Sequence, residues 1–446
     1  MLLKNNFLLF VFSLLMFILS LDHTITLRYV LIVTLITTIC IFYRNKYKDL
    51  NFYLKNKDLI RIMIALVVFV LYIFFHSIFF SLEPEWSLSE SKSHILYPFI
   101  FLITGFLLGD FFSNSNYSSN IVLFNFLFHS LFIHIIYLDL FSLKIIFSEG
   151  ILLTRYGGLM DSPVLASYIT NTLIAFILGE LIFRKRARKR ILIMSDGVLY
   201  LCLIACLFSS IVENIRLGLI VLIFTCLLAI FLLIYRNKEY SKNKKIFISF
   251  VLIASIAIPS VHSFTTDKRW TNLFKVVPVA FDDSNRLWLT PDTPGPKFQS
   301  GKSVDMSINY SNYMRLAWIG QSFKYIYEDP LGVGFGRNAF GHAIELRHAD
   351  YEKNRGRHSH SSVLELILGA GILGGLLWFI FVYVVFKTSF KEYLKNNNYF
   401  AIINLLLIFT FVLRSFVDAN MRDHMFLQFM ILLGVSISCM FYERKE

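Results

Sequence analysis

The chain has 446 residues, of which 56% are hydrophobic and only 16% are charged, and its mean hydropathy is +0.61. A chain this long and this apolar is not a soluble domain, and its composition predicts an all-α polytopic membrane protein. The formal net charge of +13 could suggest a nucleic-acid partner. However, the basic residues are scattered over separate short loops and form no single binding stripe, so we predict no nucleic-acid binding.

Twelve apolar runs are long enough to cross a bilayer as helices, which takes about 20 residues each. They lie near residues 7–21, 24–43, 60–81, 95–113, 120–141, 163–183, 191–211, 217–235, 246–262, 363–386, 399–416 and 424–442. The first run has no small-residue cleavage site and is followed closely by the second, so we expect a retained helix rather than a signal peptide. The five cysteines lie within or at the ends of these runs, which predicts core residues and no disulfide framework.

The distribution of Lys and Arg predicts the orientation of the helices. Basic clusters occur within 44–61, 184–190, 236–245 and 387–395, each in an even-numbered loop. By the positive-inside rule these loops and both termini are cytoplasmic. The odd-numbered loops then face outward, and the largest, 263–361, separates nine helices in 1–262 from three in 362–446. A loop of this length predicts a small folded unit with short helices.

Inside the large loop, residues 311–328 carry Trp318 and other aromatic residues among polar ones, which predicts a helix lying on the membrane surface or on the bundle. The following segment, Asp329-Pro330-Leu331-Gly332-Val333-Gly334-Phe335-Gly336, predicts a flexible turn. As a phosphate-binding loop it is weak, because no strand precedes it and no Lys-Ser/Thr pair follows it.

Four arginines fall on the predicted outward side, at Arg155, Arg216, Arg315 and Arg414. A guanidinium group keeps its charge and offers paired donors that match phosphate oxygens. These residues are therefore candidates for holding a diphosphate at the outer membrane surface. The alternative is that they reach lipid headgroups or pair with nearby acids such as Glu213 and Asp418.

His360 lies just before the tenth apolar run. The spacing of Ser362 and Glu365 matches a capping box, which predicts Ser362 as the N-cap and places the imidazole beside the free N–H groups of the helix. Those groups disfavour imidazolium, and a neutral imidazole could accept a proton from an attacking hydroxyl. An ordinary histidine pKa near 6.5 then predicts loss of activity below about pH 6. The alternative is that His360 only orients the acceptor, for which we expect a flat profile from pH 5 to 8.

Other histidines favour less specific roles. His76, His129 and His134 lie inside apolar runs, where we expect packing. His358, Ser359 and His360 could chelate a metal with His348 or Asp350, but two histidines are a weak signal, and we predict neither a metal nor a cofactor. Gly371 and Gly375 form a GxxxG pair, which predicts close helix packing.

His360-Ser361, followed by nine residues and Gly371-Ile372-Leu373-Gly374, resembles the signature of bacterial O-antigen ligases. In that signature, a histidine and then Asn, Ser or Gln precede nine residues and Gly-x-x-Gly. The approach from Arg315-Leu316-Ala317-Trp318 to Gly334 is similar to the domain shared by O-antigen ligases, O-antigen polymerases and bacterial O-oligosaccharyltransferases. Twelve helices with one large outer loop also resemble the ligases, which implies a GT-C-like glycosyltransferase.

The resemblance implies that a polysaccharide is transferred from undecaprenyl diphosphate to an outer-core sugar of lipid A. The reaction would take place at the periplasmic face of a bacterial inner membrane, with inversion and without ATP or metal. By position, His360 matches the essential histidine of the family, Arg216 the arginine between the seventh and eighth helices, and Arg315 the loop arginine. Arg155, Arg414, His358 and Ser361 are further candidates for substrate binding.

Three alternatives remain at this point. An O-antigen polymerase would use the same donor with a second lipid-linked glycan as acceptor, and a protein O-oligosaccharyltransferase would glycosylate Ser or Thr of periplasmic proteins. A transporter or flippase would also accommodate twelve helices. Transporters, however, commonly have two similar halves and polar groups at mid-membrane, whereas the single large outer loop breaks any such symmetry.

Overall fold

The computed structural model describes residues 2–442 except 22, 44–54, 114–116, 188, 236–241, 268, 283–286, 290–309 and 349–356. Within these residues the chain forms sixteen α-helices and no β-strand. The helices are α1 Leu2–Ile18, α2 Ile25–Tyr43, α3 Lys57–Phe79, α4 Pro84–Ser91, α5 Tyr97–Ser113, α6 Tyr117–Glu149, α7 Pro163–Ala187, α8 Asp196–Glu213, α9 Arg216–Tyr235, α10 Lys242–Thr266, α11 Arg269–Ala280, α12 Tyr310–Glu328, α13 Ala339–Arg347, α14 Ser362–Asn396, α15 Tyr399–Ser415 and α16 Asp423–Tyr442.

All twelve apolar runs fall on helices, but length and hydropathy together support nine membrane spans in the described chain. One of the nine, Pro84–Ser113, joins α4 to α5 through a π-helical turn at Lys92–Leu96. Two more helices, α1 and α15, are apolar but shorter than 18 residues. Helix α10 occupies the ninth predicted run and contains Pro259.

The core of the bundle lies where α5 and α16 run against each other. Gly105, Gly109 and Gly434 allow this contact, because a Cβ at any of them would collide with the backbone of the opposing helix. Almost every side chain of α15 and α16 is buried, which identifies these two as central helices surrounded by protein.

Two of the three predicted packing histidines, His76 and His134, are buried, whereas His129 is exposed. His134 stacks on Phe17, with ring centroids 4.7 Å apart, and His129 Nδ1 lies 2.6 Å from the Asn125 carbonyl oxygen. His76 is buried, and its Nε2 lies 2.7 Å from the Leu331 carbonyl oxygen. His76 therefore connects α3 to the turn after α12.

Helix α14 is broken at Gly371, whose φ is 73° and ψ is 174°. The Asp329–Gly336 turn occupies the break. The N–H of Val333 donates to the Leu368 carbonyl at 2.8 Å, and the N–H of Ile372 donates to the Pro330 carbonyl at 3.0 Å. The GxxxG prediction is thus wrong at Gly371, where the close contact is with this turn rather than with another helix.

The helices between α10 and α14 have a small core of their own. Tyr313, Ala317 and Tyr325 of α12 pack with Phe340 and Ile344 of α13, and the cluster also includes Leu368 beside the break in α14. The predicted helix at 311–328 is therefore confirmed as α12. Because α12 packs on α14, residues of the large loop lie next to the turn that contains His360.

Candidate active site

One cavity of about 200 Å³ lies at the end of the bundle where α8 connects to α9 and α15 to α16. Arg155, Arg216, Arg315 and His360 all line it. They come from four separate segments: the α6–α7 connection, the start of α9, the middle of α12 and the turn before α14. Three guanidinium groups and one imidazole are thereby brought to a common space.

The rest of the cavity wall is mostly apolar. It consists of Val164, Ile215, Leu217, Ile220, Trp270, Leu273, Leu316, Ile319 and Val417, with Asn312 and Asp418 as the remaining polar residues. A wall of this kind, with three arginines among its residues, suits a ligand that joins an apolar chain to an anionic group.

The guanidinium group of Arg216 is held in place by three neighbours. Its Nη2 donates to Asn312 Oδ1 at 2.8 Å, its Nε lies 3.8 Å from Asp267 Oδ2, and its Cζ is 5.7 Å from the centre of the Trp270 ring. Asn312 is one turn before Arg315 on α12. This helix therefore contributes one residue that orients Arg216 and another that lines the cavity directly. Asn312 and Trp270 were not predicted, although the three-residue spacing of Asn312 and Arg315 indicates a shared helix face.

Arg155 is exposed and has a φ of 59°, in the left-handed region. The next residue ties this segment to α8, since the N–H of Tyr156 donates to the Val212 carbonyl at 3.5 Å. A non-glycine residue stays in this conformation only where its surroundings fix it, and such residues are frequent at binding sites.

His360 also has a left-handed backbone, with φ 58°. The Trp318 indole stacks on its ring at 5.5 Å between centroids and an 11° interplanar angle, while the His358 ring meets it edge-on at 4.2 Å. Burial, and then the charge of Arg315, lowers the pKa of His360 to about 4. The imidazole is therefore neutral at pH 7 and able to accept a proton.

Residues 198–379 match the family model described as O-antigen ligase. Over these residues the chain is similar to an O-antigen ligase domain. The match includes Arg216, Arg315 and His360, whereas Arg155 and Arg414 lie outside it. Members of this family are glycosyltransferase-like membrane enzymes that act on lipid-linked glycans, and the family extends to O-antigen polymerases and oligosaccharyltransferases. No curated protein matches the chain significantly.

The start of α14 in this ligase domain differs from the predicted capping box. Ser361 is the N-cap, because its Oγ accepts from the N–H of Leu364 at 3.3 Å. The Glu365 carboxylate accepts from the N–H groups of Phe340, at 3.0 Å, and Ser359. The prediction of Ser362 as N-cap is therefore wrong by one residue, because Glu365 ties α14 to α13 instead of closing a box.

His358 and Ser361 lie behind the cavity wall of the ligase domain. Ser361 is buried, and its Oγ lies 3.4 Å from the Ser415 carbonyl oxygen. His358 Nδ1 accepts from the N–H of His360 at 3.2 Å, and its Nε2 lies 3.2 Å from Arg422 Nη2. Burial, and then the charge of Arg422, holds the pKa of His358 well below its usual range. Both side chains contact the turn that carries His360.

Arg414, outside the matched ligase domain, is fully buried. Its Nε donates to Asp418 Oδ2 at 2.8 Å and its Nη2 to the Val164 carbonyl at 2.7 Å. This is the pairing with a nearby acid that was the alternative interpretation of the arginine. Since Asp418 and Val164 both line the cavity, Arg414 supports its wall from behind.

The described part of the chain contains no group of three or more His, Cys, Asp or Glu residues that could hold a metal ion. His348, one of the alternative ligands, has its Nε2 3.2 Å from Tyr325 Oη. Asp350, the other, lies outside the described residues. The expectation that the ligase domain works without a metal stays a prediction.

Proposed function

We propose that the protein is an O-antigen ligase of the bacterial inner membrane that works at its periplasmic face. It transfers a polysaccharide from undecaprenyl diphosphate to an outer-core sugar of lipid A. The observation that carries this proposal is the shared cavity, in which His360 and three arginines from distant parts of the chain meet against an apolar wall.

The cavity chemistry suits a polyprenyl diphosphate donor. Arg155, Arg216 and Arg315 supply positive charge and paired donors for phosphate oxygens. Asn312 and Asp267 hold Arg216 in one orientation, so less side-chain freedom is lost when a phosphate binds. The apolar residues of the wall can contact the first isoprene units. Asp418 is already paired with Arg414, so its carboxylate repels a bound diphosphate only weakly.

In the proposed reaction, the acceptor hydroxyl attacks the anomeric carbon that carries the diphosphate. Neutral His360 takes the proton of that hydroxyl as the new C–O bond forms and the bond to the diphosphate oxygen breaks. Attack opposite the leaving group inverts the anomeric configuration. Arg216 and Arg315 then balance the negative charge that grows on the leaving diphosphate, and Arg155 can add to this clamp.

The proposal is tested in a deletion strain of the source bacterium, by lipopolysaccharide gels and a blot for lipid-linked glycan. We expect lipid A-core without attached repeats and accumulation of long undecaprenyl-linked polymer. Wild type should restore attachment, and His360→Ala should not.

Other outcomes identify the alternatives. Core carrying a single repeat would mean an O-antigen polymerase. Unchanged lipopolysaccharide with lost glycosylation of periplasmic proteins would mean a protein O-oligosaccharyltransferase, and unchanged lipopolysaccharide and glycoproteins would point to transport. Each of these results would overturn the ligase.

A further inference from the structure

The strained backbone of His360 is fixed by the residues on either side of it. Ser359 Oγ donates to the Ser361 carbonyl at 3.1 Å and accepts from the Ser361 N–H at 3.3 Å. The N–H of Ser362 then donates to the Asp418 carbonyl at 2.9 Å. The backbone of this turn is thereby attached to the α15–α16 connection, but none of these bonds fixes the orientation of the His360 ring.

One face of the ring is covered by Trp318. The two rings are nearly parallel, at 11°, with centroids 5.5 Å apart. Trp318 is itself held, because its Nε1 donates to the Trp288 carbonyl at 3.3 Å and the Arg357 guanidinium lies 5.8 Å from its ring. Trp318 follows Arg315 by one turn of α12, so a single helix places both a cavity arginine and the surface on which His360 stacks.

His358 meets the His360 ring edge-on, with ring centroids 4.2 Å apart. Two donors approach His358, the N–H of His360 at Nδ1 and Arg422 Nη2 at Nε2, each at 3.2 Å. A neutral imidazole accepts at only one of its two nitrogens and a protonated imidazole at neither, so His358 accepts from one of these donors and both favour its neutral form. The charge of Arg422, 3.2 Å from Nε2, also favours a neutral His358 ring beside His360. Arg422 is anchored in turn by its contact with Asn338 Oδ1 at 3.5 Å.

We propose that Trp318 and Arg422 are positioning residues for His360, Trp318 by direct stacking and Arg422 through His358. Trp318 fixes the plane of the His360 imidazole and keeps water from the face that it covers. Arg422 holds the His358 ring edge-on against the imidazole. The inference rests on the proposed role of His360 as the base that receives the proton of the acceptor hydroxyl.

The charged and titratable groups around His360 give the proposal a pH signature. They are Arg315 on α12, Asp418 and Arg422 on the α15–α16 connection, and His358 in its own turn. Removal of Trp318 hydrates the ring, and removal of the Arg422 charge takes away a repulsion. Both changes therefore raise the pKa of His360 from about 4 toward 6.5.

The test compares Trp318→Ala and Arg422→Gln with the conservative variants Trp318→Phe and Arg422→Lys in purified full-length protein. We expect kcat to fall about 10- to 100-fold in the first pair, as for a small misplacement of a catalytic group, with KM for the lipid-linked donor nearly unchanged. In Trp318→Ala and Arg422→Gln, the decline of kcat at acid pH should be centred above pH 4. The conservative variants should recover part of the lost kcat. Arg216→Lys serves as the control, because it should lower the rate without moving the decline at acid pH.

Diethyl pyrocarbonate modifies the neutral form of a histidine ring. The rate of His360 modification, measured by peptide mass spectrometry across pH, therefore follows the fraction of neutral His360 without any turnover. We expect faster reaction and a higher midpoint pH in Trp318→Ala, and a higher midpoint in Arg422→Gln. A reduced rate with unchanged midpoints, or wild-type kinetics in both variants, would overturn the positioning roles. If His360→Ala still transferred glycan while the midpoints moved as expected, the proposed function would fail and the support of the ring would stand.

Discussion

At the scale of single residues, Arg216 is the sharpest test of the diphosphate clamp. Its guanidinium uses one edge on Asn312 and Asp267 and lines the cavity. Lysine keeps the charge but cannot make the paired contacts, so Arg216→Lys should lower kcat/KM about 10- to 100-fold, as expected for a lost charged hydrogen bond. Steady-state transfer kinetics measure this. Arg190→Lys, at an exposed arginine far from the cavity, should change nothing, and equal rates for the two variants would contradict the clamp.

The protonation of His360 sets the acid limit of activity. A pKa lowered to about 4 means that the neutral base is present at neutral pH and is lost as the pH falls through about 4. We therefore expect nearly constant kcat from pH 5 to 8 and a single-proton decline near pH 4, instead of the loss below about pH 6 predicted for an ordinary histidine. With this lowered pKa, a flat profile from pH 5 to 8 no longer distinguishes a base from an orienting group, and the decline near pH 4 does so instead. A pH–rate profile, with activity recovered on return to pH 7, measures this. A decline centred near 6.5 would show that the ring is not buried in the working enzyme.

At the scale of elements, the break in α14 connects the large loop to the membrane helices. Gly371 has a φ of 73°, and a Cβ there would collide with the Leu331 and Pro330 carbonyls. Gly371→Ala should separate the Asp329–Gly336 turn from α14 and destabilise the protein by about 1–3 kcal/mol from backbone strain alone. Thermal unfolding in detergent should show a Tm several degrees lower.

Gly197→Ala is the matched control for this prediction, because Gly197 is helical, near the start of α8, and a Cβ would find only Ser195 Oγ at 3.9 Å. Alanine there should leave the Tm unchanged or slightly higher, since alanine is the better helix former. If Gly371→Ala and Gly197→Ala had the same Tm, the attachment of the Asp329–Gly336 turn to α14 would not depend on the helix break at Gly371.

The sequence predicts these elements well and their junctions poorly. Apolar runs of bilayer length placed twelve helices, and the amphipathic pattern placed α12. The same sequence around Gly371 suits both a helix contact and a helix break, and only docking of the Asp329–Gly336 turn decides between them. Likewise Ser361 and Ser362 are both good caps, and the choice depends on Glu365 reaching back to α13.

At the scale of the whole molecule, the cavity depends on how helices distant in sequence pack together. The positive-inside rule predicts that positions 155, 216, 315 and 360 face the same side of the membrane, but it does not bring their side chains into one space. Packing of α7 on α8, α9 and α15, and of α12 on α14, does so. Arg422 belongs to no motif, and the resemblance that includes Trp318 assigns that residue no role, so their contacts with His360 and His358 emerge only from the fold.

The most direct test of the central claim uses purified protein in liposomes with undecaprenyl-diphosphate-linked glycan and lipid A-core. Product is followed on gels for wild type and His360→Gln, with donor binding measured in parallel. We predict glycan-bearing core for wild type, and donor binding without transfer for the variant, a loss of about 10²- to 10⁴-fold in rate. Transfer by His360→Gln at the wild-type rate would contradict the account.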